Sequence, residues 1–242
     1  MTISANYLTL QQQIADELGD RQDLLSPLSD SSLTNSPIVN AIQSAIAKWE
    51  REPFYFNELL LETPLTAPSG GYPFQTVAGQ EYYGASSYAN IPTLAVIKKL
   101  WVLVSGQRYT LEARTAQYLE DISVNQSSLS QPVDYSYQAL QLRFYPIPDN
   151  SYPVGIYGTL RLTPLVNGTD ANAWTQDAYD LIRSEAKSIL AREVLYDETV
   201  YAAMQRAIYG DPTVRGDRGY LYALKAENSR RGGQGRMRPT YF

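Results

Sequence analysis

The spacing of apolar residues changes twice along the chain, and these changes limit the folds that it can adopt. Near the N-terminus, Leu10, Ile14 and Leu18 recur at the interval of an amphipathic helix. From Leu59 the period shortens toward two, and Gly or Pro interrupts the sequence about every ten residues, which is typical of short strands. Helical spacing returns at Trp174. The sequence therefore predicts an α+β fold in which helices flank a β-rich segment.

This arrangement predicts a helical bundle built from both ends of the chain, with the β-rich segment inserted as an antiparallel domain. We expect residues 1–58 to supply the N-terminal helices of the bundle and residues 166–229 to supply its C-terminal helices. The inserted domain is expected to span residues 59–165, and residues 230–242 are expected to form an extended C-terminal arm.

Local signals predict where the helices begin. Thr9 and Gln12 have the spacing of a capping box, and Ser36 followed by Pro37 has the chemistry of an N-cap and a first helical residue. Thr175 is predicted to cap a strongly amphipathic helix. Further helices are predicted over residues 115–121, from Asp197 onward, and over residues 220–229.

Strand signals fill the middle of the chain. The candidate strands are residues 59–66, 80–83, 93–104, 108–111, 134–137, 140–145 and 154–163. Ser105 and Gly106 separate two of these runs and predict a tight hairpin turn. The β-rich segment is therefore expected to consist of short, closely connected strands.

The fifteen residues from Asn228 to Phe242 differ in composition from the rest of the chain. They contain four arginines, three glycines and no acidic residue. The whole chain has 20 basic and 25 acidic residues, so the part before Asn228 has 16 basic against 25 acidic residues, a net charge of −9. A segment this polar and rich in glycine cannot bury enough apolar surface to offset its ordering entropy. We therefore expect it to become ordered against a partner.

The inventory of reactive side chains argues against most enzyme mechanisms. The chain has no cysteine and no histidine, which excludes disulfides, thiolate nucleophiles, histidine bases and zinc sites built from these residues. Glycosidase-like chemistry needs two carboxyl groups about 5 to 10 Å apart in a cleft. The candidate carboxylates are Glu50, Glu52, Glu112, Glu120, Asp177, Asp180 and Glu185. Three of these seven fall at helix N-terminal or exposed positions, where electrostatic and solubility roles suffice. We predict no catalytic residue, no metal and no cofactor.

Membrane and nucleic-acid partners are also disfavoured. The sequence has no run approaching the roughly 18 apolar residues of a membrane span, and its N-terminus lacks the regions of a signal peptide. The four arginines near the C-terminus could neutralise a few phosphates, but the acidic remainder would repel the same backbone. An acidic groove on another protein is therefore the expected partner of the arm.

Seven phrases along the chain resemble the phage head-to-tail adaptor family, whose members form a ring beneath the portal and join it to the tail. The phrases are YLTLQQQIADELGD (Tyr7–Asp20), AIAKWEREPFYFNE (Ala45–Glu58), TVAGQEYY (Thr76–Tyr83), QPVDYSY (Gln131–Tyr137), RFYPIPD (Arg143–Asp149), NAWTQDA (Asn172–Ala178) and RPTYF (Arg238–Phe242). No single phrase is diagnostic, but their order and spacing together are specific.

The resemblance implies a structural virion protein of the neck, assembled in the host cytoplasm, with no enzyme activity as its main role. It implies a homo-oligomeric ring of twelve subunits that contacts the portal protein and the tail tube, nozzle or other tail proteins, with DNA passing through the lumen without specific binding. The arm residues expected to bind the portal are Arg230, Arg231, Arg236, Met237, Arg238, Tyr241 and Phe242. The segment GDPTVRGDRG (Gly210–Gly219) departs from the continuous helix that we would expect there. The direction of the arm therefore stays open.

Two alternatives from other functional classes are kept. A carboxylate-based cell-wall hydrolase would lose turnover, but not assembly, when one Asp or Glu is substituted. A tail receptor or carbohydrate-binding module would use some of the 20 tyrosines at its surface, and it would keep its function without residues 228–242.

Overall fold

The computed structural model describes residues 5–26, 35–61, 74–84, 94–124, 128–139, 141–214 and 216–231. In chain order the helices are α1 (Tyr7–Glu17), α2 (Pro37–Trp49), α3 (Ala116–Ser123), α4 (Ala173–Gln176), α5 (Tyr179–Leu190), α6 (Glu198–Tyr209) and α7 (Gly219–Arg231), with a 3₁₀ turn at Gln22–Leu25 and a π-helical turn at Ala191–Leu195. The strands are β1 (Glu58–Leu61), β2 (Phe74–Gln75), β3 (Tyr82–Gly84), β4 (Leu94–Val104), β5 (Gln107–Ala113), β6 (Leu129–Ser130), β7 (Asp134–Gln138), β8 (Gln141–Tyr145), β9 (Ile147–Pro148) and β10 (Pro153–Leu160). The predicted α+β class is confirmed.

The chain divides into two compact units. The first unit comprises Met1–Phe56 and Leu162–Phe242, and the second comprises Asn57–Arg161. Each has its own apolar core. All the described helices except α3 belong to the first unit, and all the described strands belong to the second.

The first unit is a helical bundle around α5. Residues of α1, α2 and α5 that face one another are fully buried, among them Ile14, Ile42 and Ile182. Trp174 closes one part of this core, and its ring lies edge-on to the rings of Phe54 and Phe56 at centroid distances of 5.9 and 5.0 Å. These contacts tie the segment after α2 to the start of the C-terminal helices.

The second unit is a sheet with the strand order β1-β10-β4-β5-β7-β8-β3, in which β2 also pairs with β10. The hairpin between β4 and β5 turns at Ser105 and Gly106, which both have positive φ, as the sequence predicts. The pairing of β5 with β7 is parallel, as is the separate pairing of β6 with β9. The expectation of an antiparallel domain is therefore corrected to a mixed sheet, because α3 carries the chain back so that β7 runs alongside β5 in the same direction.

Two predicted helix caps are wrong. The N-cap of α1 is Asn6, whose side chain accepts a hydrogen bond from the Thr9 backbone N–H at 2.9 Å, so Thr9 lies inside the helix. The capping box near Thr175 belongs to Asn172, and Thr175 is its third helical residue. In both cases an asparagine three residues upstream offers the same acceptor chemistry, so α1 and the short α4 begin earlier. The strongly amphipathic α5 begins only at Tyr179, and its N-cap Ala178 makes no side-chain hydrogen bond. The cap predicted at Ser36 is confirmed, and Asp197, where a further helix was expected to start, is the N-cap of α6.

The last helix is longer than the sequence predicts. It ends at Arg231 instead of Ser229, so Arg230 and Arg231 are helical and the extended arm cannot begin at residue 230. None of the helices described in the structure is long and apolar enough to cross a membrane.

Candidate interaction surface

The loop between α6 and α7 fixes the direction in which the last helix leaves the bundle. Gly210 and Gly219 stand at the two ends of this loop with φ angles of +88° and +61°. Their backbones touch, because a Cβ added to Gly219 would lie 2.4 Å from the Gly210 nitrogen and from the Ile208 carbonyl oxygen. The segment that breaks the expected continuous helix is therefore a tight corner that only glycine can make at these positions.

Helix α7 is held mainly at one side. Tyr220, Leu221 and Leu224 are partly buried against the core of the helical unit. Near its C-terminal end, the Asn228 side-chain amide donates to the Pro53 carbonyl oxygen at 3.1 Å, and Lys225 lies 3.0 Å from Glu52. These contacts fix the position of the last turns of α7 against the segment that follows α2.

A groove lies between α7 and the junction of α4 with α5, and we call it the α7 groove. Its volume is about 280 Å³. The residues that line it are Gln176, Asp177, Ala178, Tyr179, Asp180, Leu181, Tyr220, Ala223 and Leu224. Its walls combine aromatic and aliphatic side chains with two carboxylates. This composition suits a segment that has both apolar and cationic side chains.

The two carboxylates of the α7 groove are held by neighbouring side chains. Asp177 accepts a hydrogen bond from the Tyr55 hydroxyl at 2.7 Å, and Asp180 accepts one from the Arg183 guanidinium at 2.8 Å. The side chain of Asp180 is 45% exposed, so it can meet a partner at the surface. The groove therefore presents oriented acceptors beside apolar walls.

The model of one protein family matches nearly the whole chain, over residues 5–237, and its description is SU10 adaptor protein. The chain belongs to this family of phage head-to-tail adaptors. No match to a curated protein was found. Members of the family are structural proteins, which makes the chain a virion component that associates with other phage neck proteins.

The structure describes only two of the seven residues predicted to bind the portal. Arg230 lies in the last turn of α7 with 80% of its side chain exposed, and its guanidinium is 3.8 Å from Glu227. Arg231 is the last residue of α7. Arg236, Met237, Arg238, Tyr241 and Phe242 lie outside the described residues. Their predicted role in this family member stays a prediction.

Most of the candidate catalytic carboxylates contact cations or hydroxyl groups. Glu185 is buried and lies 2.7 Å from the Lys48 ammonium, whereas Glu120 lies 2.7 Å from the Arg143 guanidinium. Glu112 pairs with Arg114, Glu52 with Lys225, Asp180 with Arg183, and Asp177 with Tyr55. Glu50 caps the C-terminal end of α2. These contacts give the carboxylates structural roles. Within the described ranges, no three Asp or Glu residues are grouped as a metal site requires.

Sequence reasoning missed the role of Arg143, a buried charged residue of the second unit that joins three other side chains. Its guanidinium donates to Glu81, Glu120 and Ser123 at 2.5, 2.7 and 3.1 Å, and only 6% of its side chain is exposed. In the alternating strand β8, Arg143 is on the face opposite Leu142 and Phe144, which is normally the solvent face. Arg143 is buried because α3 covers that face. No local sequence pattern predicts this contact.

Proposed function

We propose that the chain forms a homo-oligomeric ring of twelve subunits between the portal and the tail of a tailed phage. In this proposal the C-terminal segment docks on the portal, other surfaces meet the tail tube, nozzle or other tail proteins, and DNA is ejected through the lumen without specific binding. The observation that carries the proposal is the family match over residues 5–237.

The composition of the C-terminal segment supports its role as the docking element. Residues 232–242 follow the last turn of α7 and contain two arginines, three glycines and the aromatic pair Tyr241 and Phe242. Fixing eleven backbones costs roughly 11 to 22 kcal/mol. Hydrophobic burial alone would need on the order of 450 to 900 Å² of apolar contact to offset that cost. A partner groove with acidic acceptors for the arginines would reduce this requirement.

The charge of the remaining chain supports a passage for DNA. The net charge of −9 on the part before Asn228 repels phosphates, whereas a basic lining would bind the duplex and slow its passage. We therefore expect acidic residues to line the lumen. We assign no catalytic role to the chain, since the family is structural and most of its candidate carboxylates serve as ion-pair or hydrogen-bond partners.

The proposal is tested by measuring assembly with and without the C-terminal segment. The full chain mixed with purified portal protein should give a complex whose mass corresponds to a ring of twelve subunits on the portal. A chain ending at Arg231 keeps every contact described for α7 and serves as the matched variant. It should stay folded by circular dichroism and fail to join heads to tails. Joining by the shortened chain at the full rate would contradict the proposed docking.

A further inference from the structure

We propose that residues 232–242 fold back and occupy the α7 groove of their own chain before the portal is met. In this state Tyr241 or Phe242 fills the apolar part of the groove, and Arg236 or Arg238 meets Asp177 and Asp180. The inference depends on the proposed function for one step alone, in which the portal later binds this segment and so removes it from the groove. The groove itself is a feature of the free chain.

The groove and the segment are complementary in chemistry. The groove combines Leu181, Tyr220 and Leu224 with the carboxylates of Asp177 and Asp180. The segment combines aromatic side chains with arginines and has no acidic residue. A cavity of about 150 Å³ is known to hold one benzene ring, so a groove of about 280 Å³ accepts one aromatic side chain. Arginine can bind a carboxylate through two parallel hydrogen bonds while its stem covers apolar surface.

The geometry of α7 places the groove within reach of the segment. Ala223 and Leu224 lie seven to eight residues before the end of α7 at Arg231, which corresponds to about 10 to 12 Å along the helix axis. Gly232 and Gly233 follow immediately, and they permit the chain to reverse direction. A flexible glycine-rich segment of ten residues has a root-mean-square span of roughly 16 to 19 Å. The span of the tether thus exceeds the distance along the helix, so the segment is long enough to reach the groove.

A tether of this length makes the intramolecular contact effective even if each interaction is weak. A short flexible tether gives an effective concentration in the millimolar range when its length fits the distance between the sites. The fold-back state then competes with every other partner of the segment. The segment is thereby kept from other copies of the chain until the portal offers a better site.

The absence of native cysteine permits a clean cross-linking test on the full-length chain. Ala223 is exposed and lines the groove, so Ala223→Cys combined with Thr240→Cys should form an intramolecular disulfide under mild oxidation. Tyr222→Cys with Thr240→Cys is the matched control, because Tyr222 is the neighbouring exposed residue of α7 but does not line the groove. We expect the groove pair to react at least about tenfold faster than the control, at a rate independent of protein concentration.

Three results would overturn the inference. Equal rates for the two pairs would show that the segment does not favour the groove. Disulfides formed only between chains would show that the groove belongs to an interface between copies. An unchanged rate after Tyr241→Ser and Phe242→Ser are added to the groove pair would show that the aromatic residues do not hold the segment. These measurements use no portal protein, so they test the fold-back state independently of the joining assay, which tests the proposed function.

Discussion

At the scale of single residues, charged side chains hold α3 to the sheet and α1 to α5. Arg143 joins strand β8 to helix α3. Glu17 of α1 forms ion pairs with Lys187 and Arg183 of α5. Such contacts join elements far apart in sequence, and the printed sequence gives no signal for either pairing. Removing one partner of such an ion pair lowers the stability of the folded state strongly, because the remaining charge stays partly buried without its counter-charge.

Replacing Arg143 should therefore destabilise the second unit strongly. Arg143→Ala leaves Glu81, whose side chain is only 22% exposed, without its cation, and we expect a loss of about 3 kcal/mol in the free energy of unfolding. Arg114→Ala is the control, because the Arg114 side chain is 40% exposed and solvent screens its ion pairs, so a much smaller loss is expected. Urea denaturation of both variants measures the difference. Equal losses would contradict a special role for Arg143.

Glu17 should make the first unit sensitive to acid. Partial burial alone would raise the pKa of its carboxyl, but the hydrogen bonds from Lys187 and Gln13 and the charges of Lys187 and Arg183 outweigh it and lower the pKa below the ordinary value. A lowered pKa in the folded state means stability that is complete above the unfolded pKa of about 4.3 and is lost as the pH falls through the folded value. Glu17→Gln should therefore flatten the acid side of the stability curve below about pH 4.5. An unchanged acid side would contradict this assignment.

At the scale of elements, periodicity predicted the helices and most strands, whereas caps and pairings were harder. Ser36 is the N-cap that the sequence predicts, and α6 starts at Asp197 as expected. The N-caps found near Thr9 and Thr175 are instead Asn6 and Asn172. Asn is a better N-cap than Thr, so the asparagine three residues before each predicted Thr cap was a usable signal, and the final choice also depends on where the helix packs. The parallel pairing of β5 with β7 likewise depends on the path through α3.

The corner between α6 and α7 gives a sharp prediction for one element. Gly219→Ala forces a Cβ to within 2.4 Å of backbone atoms at a positive φ, and we expect it to cost about 3 kcal/mol or more. Gly216→Ala is the control, because its φ of +97° is strained but no atom lies within 4 Å, so we expect about 1 kcal/mol. Hydrogen exchange should show selective loss of protection over residues 219–231 in the first variant. Similar exchange in both variants would contradict the close approach.

At the scale of the whole molecule, the family match identifies a phage head-to-tail adaptor, and the phrases along the sequence already resembled that family. The change of period at Leu59 is close to the point where the chain leaves the helical unit at Phe56. The α7 groove was not foreseen, because it is formed by the α4–α5 junction and α7, which are some forty residues apart in sequence. Sequence patterns indicate which face of a single element is apolar. A groove between elements can be recognised only when their packing is known.

The two arginines of residues 232–242 predict how the proposed portal binding depends on salt. Arg236→Ala combined with Arg238→Ala should weaken binding to the portal at least about tenfold at low ionic strength, because two charge-assisted contacts are lost. The matched variant with lysine at both positions keeps the charge but loses the planar fork, so it should retain the salt dependence and recover only part of the affinity. Titration calorimetry at low and high salt separates these effects. Equal binding of the alanine variant and the unmodified chain at low salt would show that the arginines do not contact the portal.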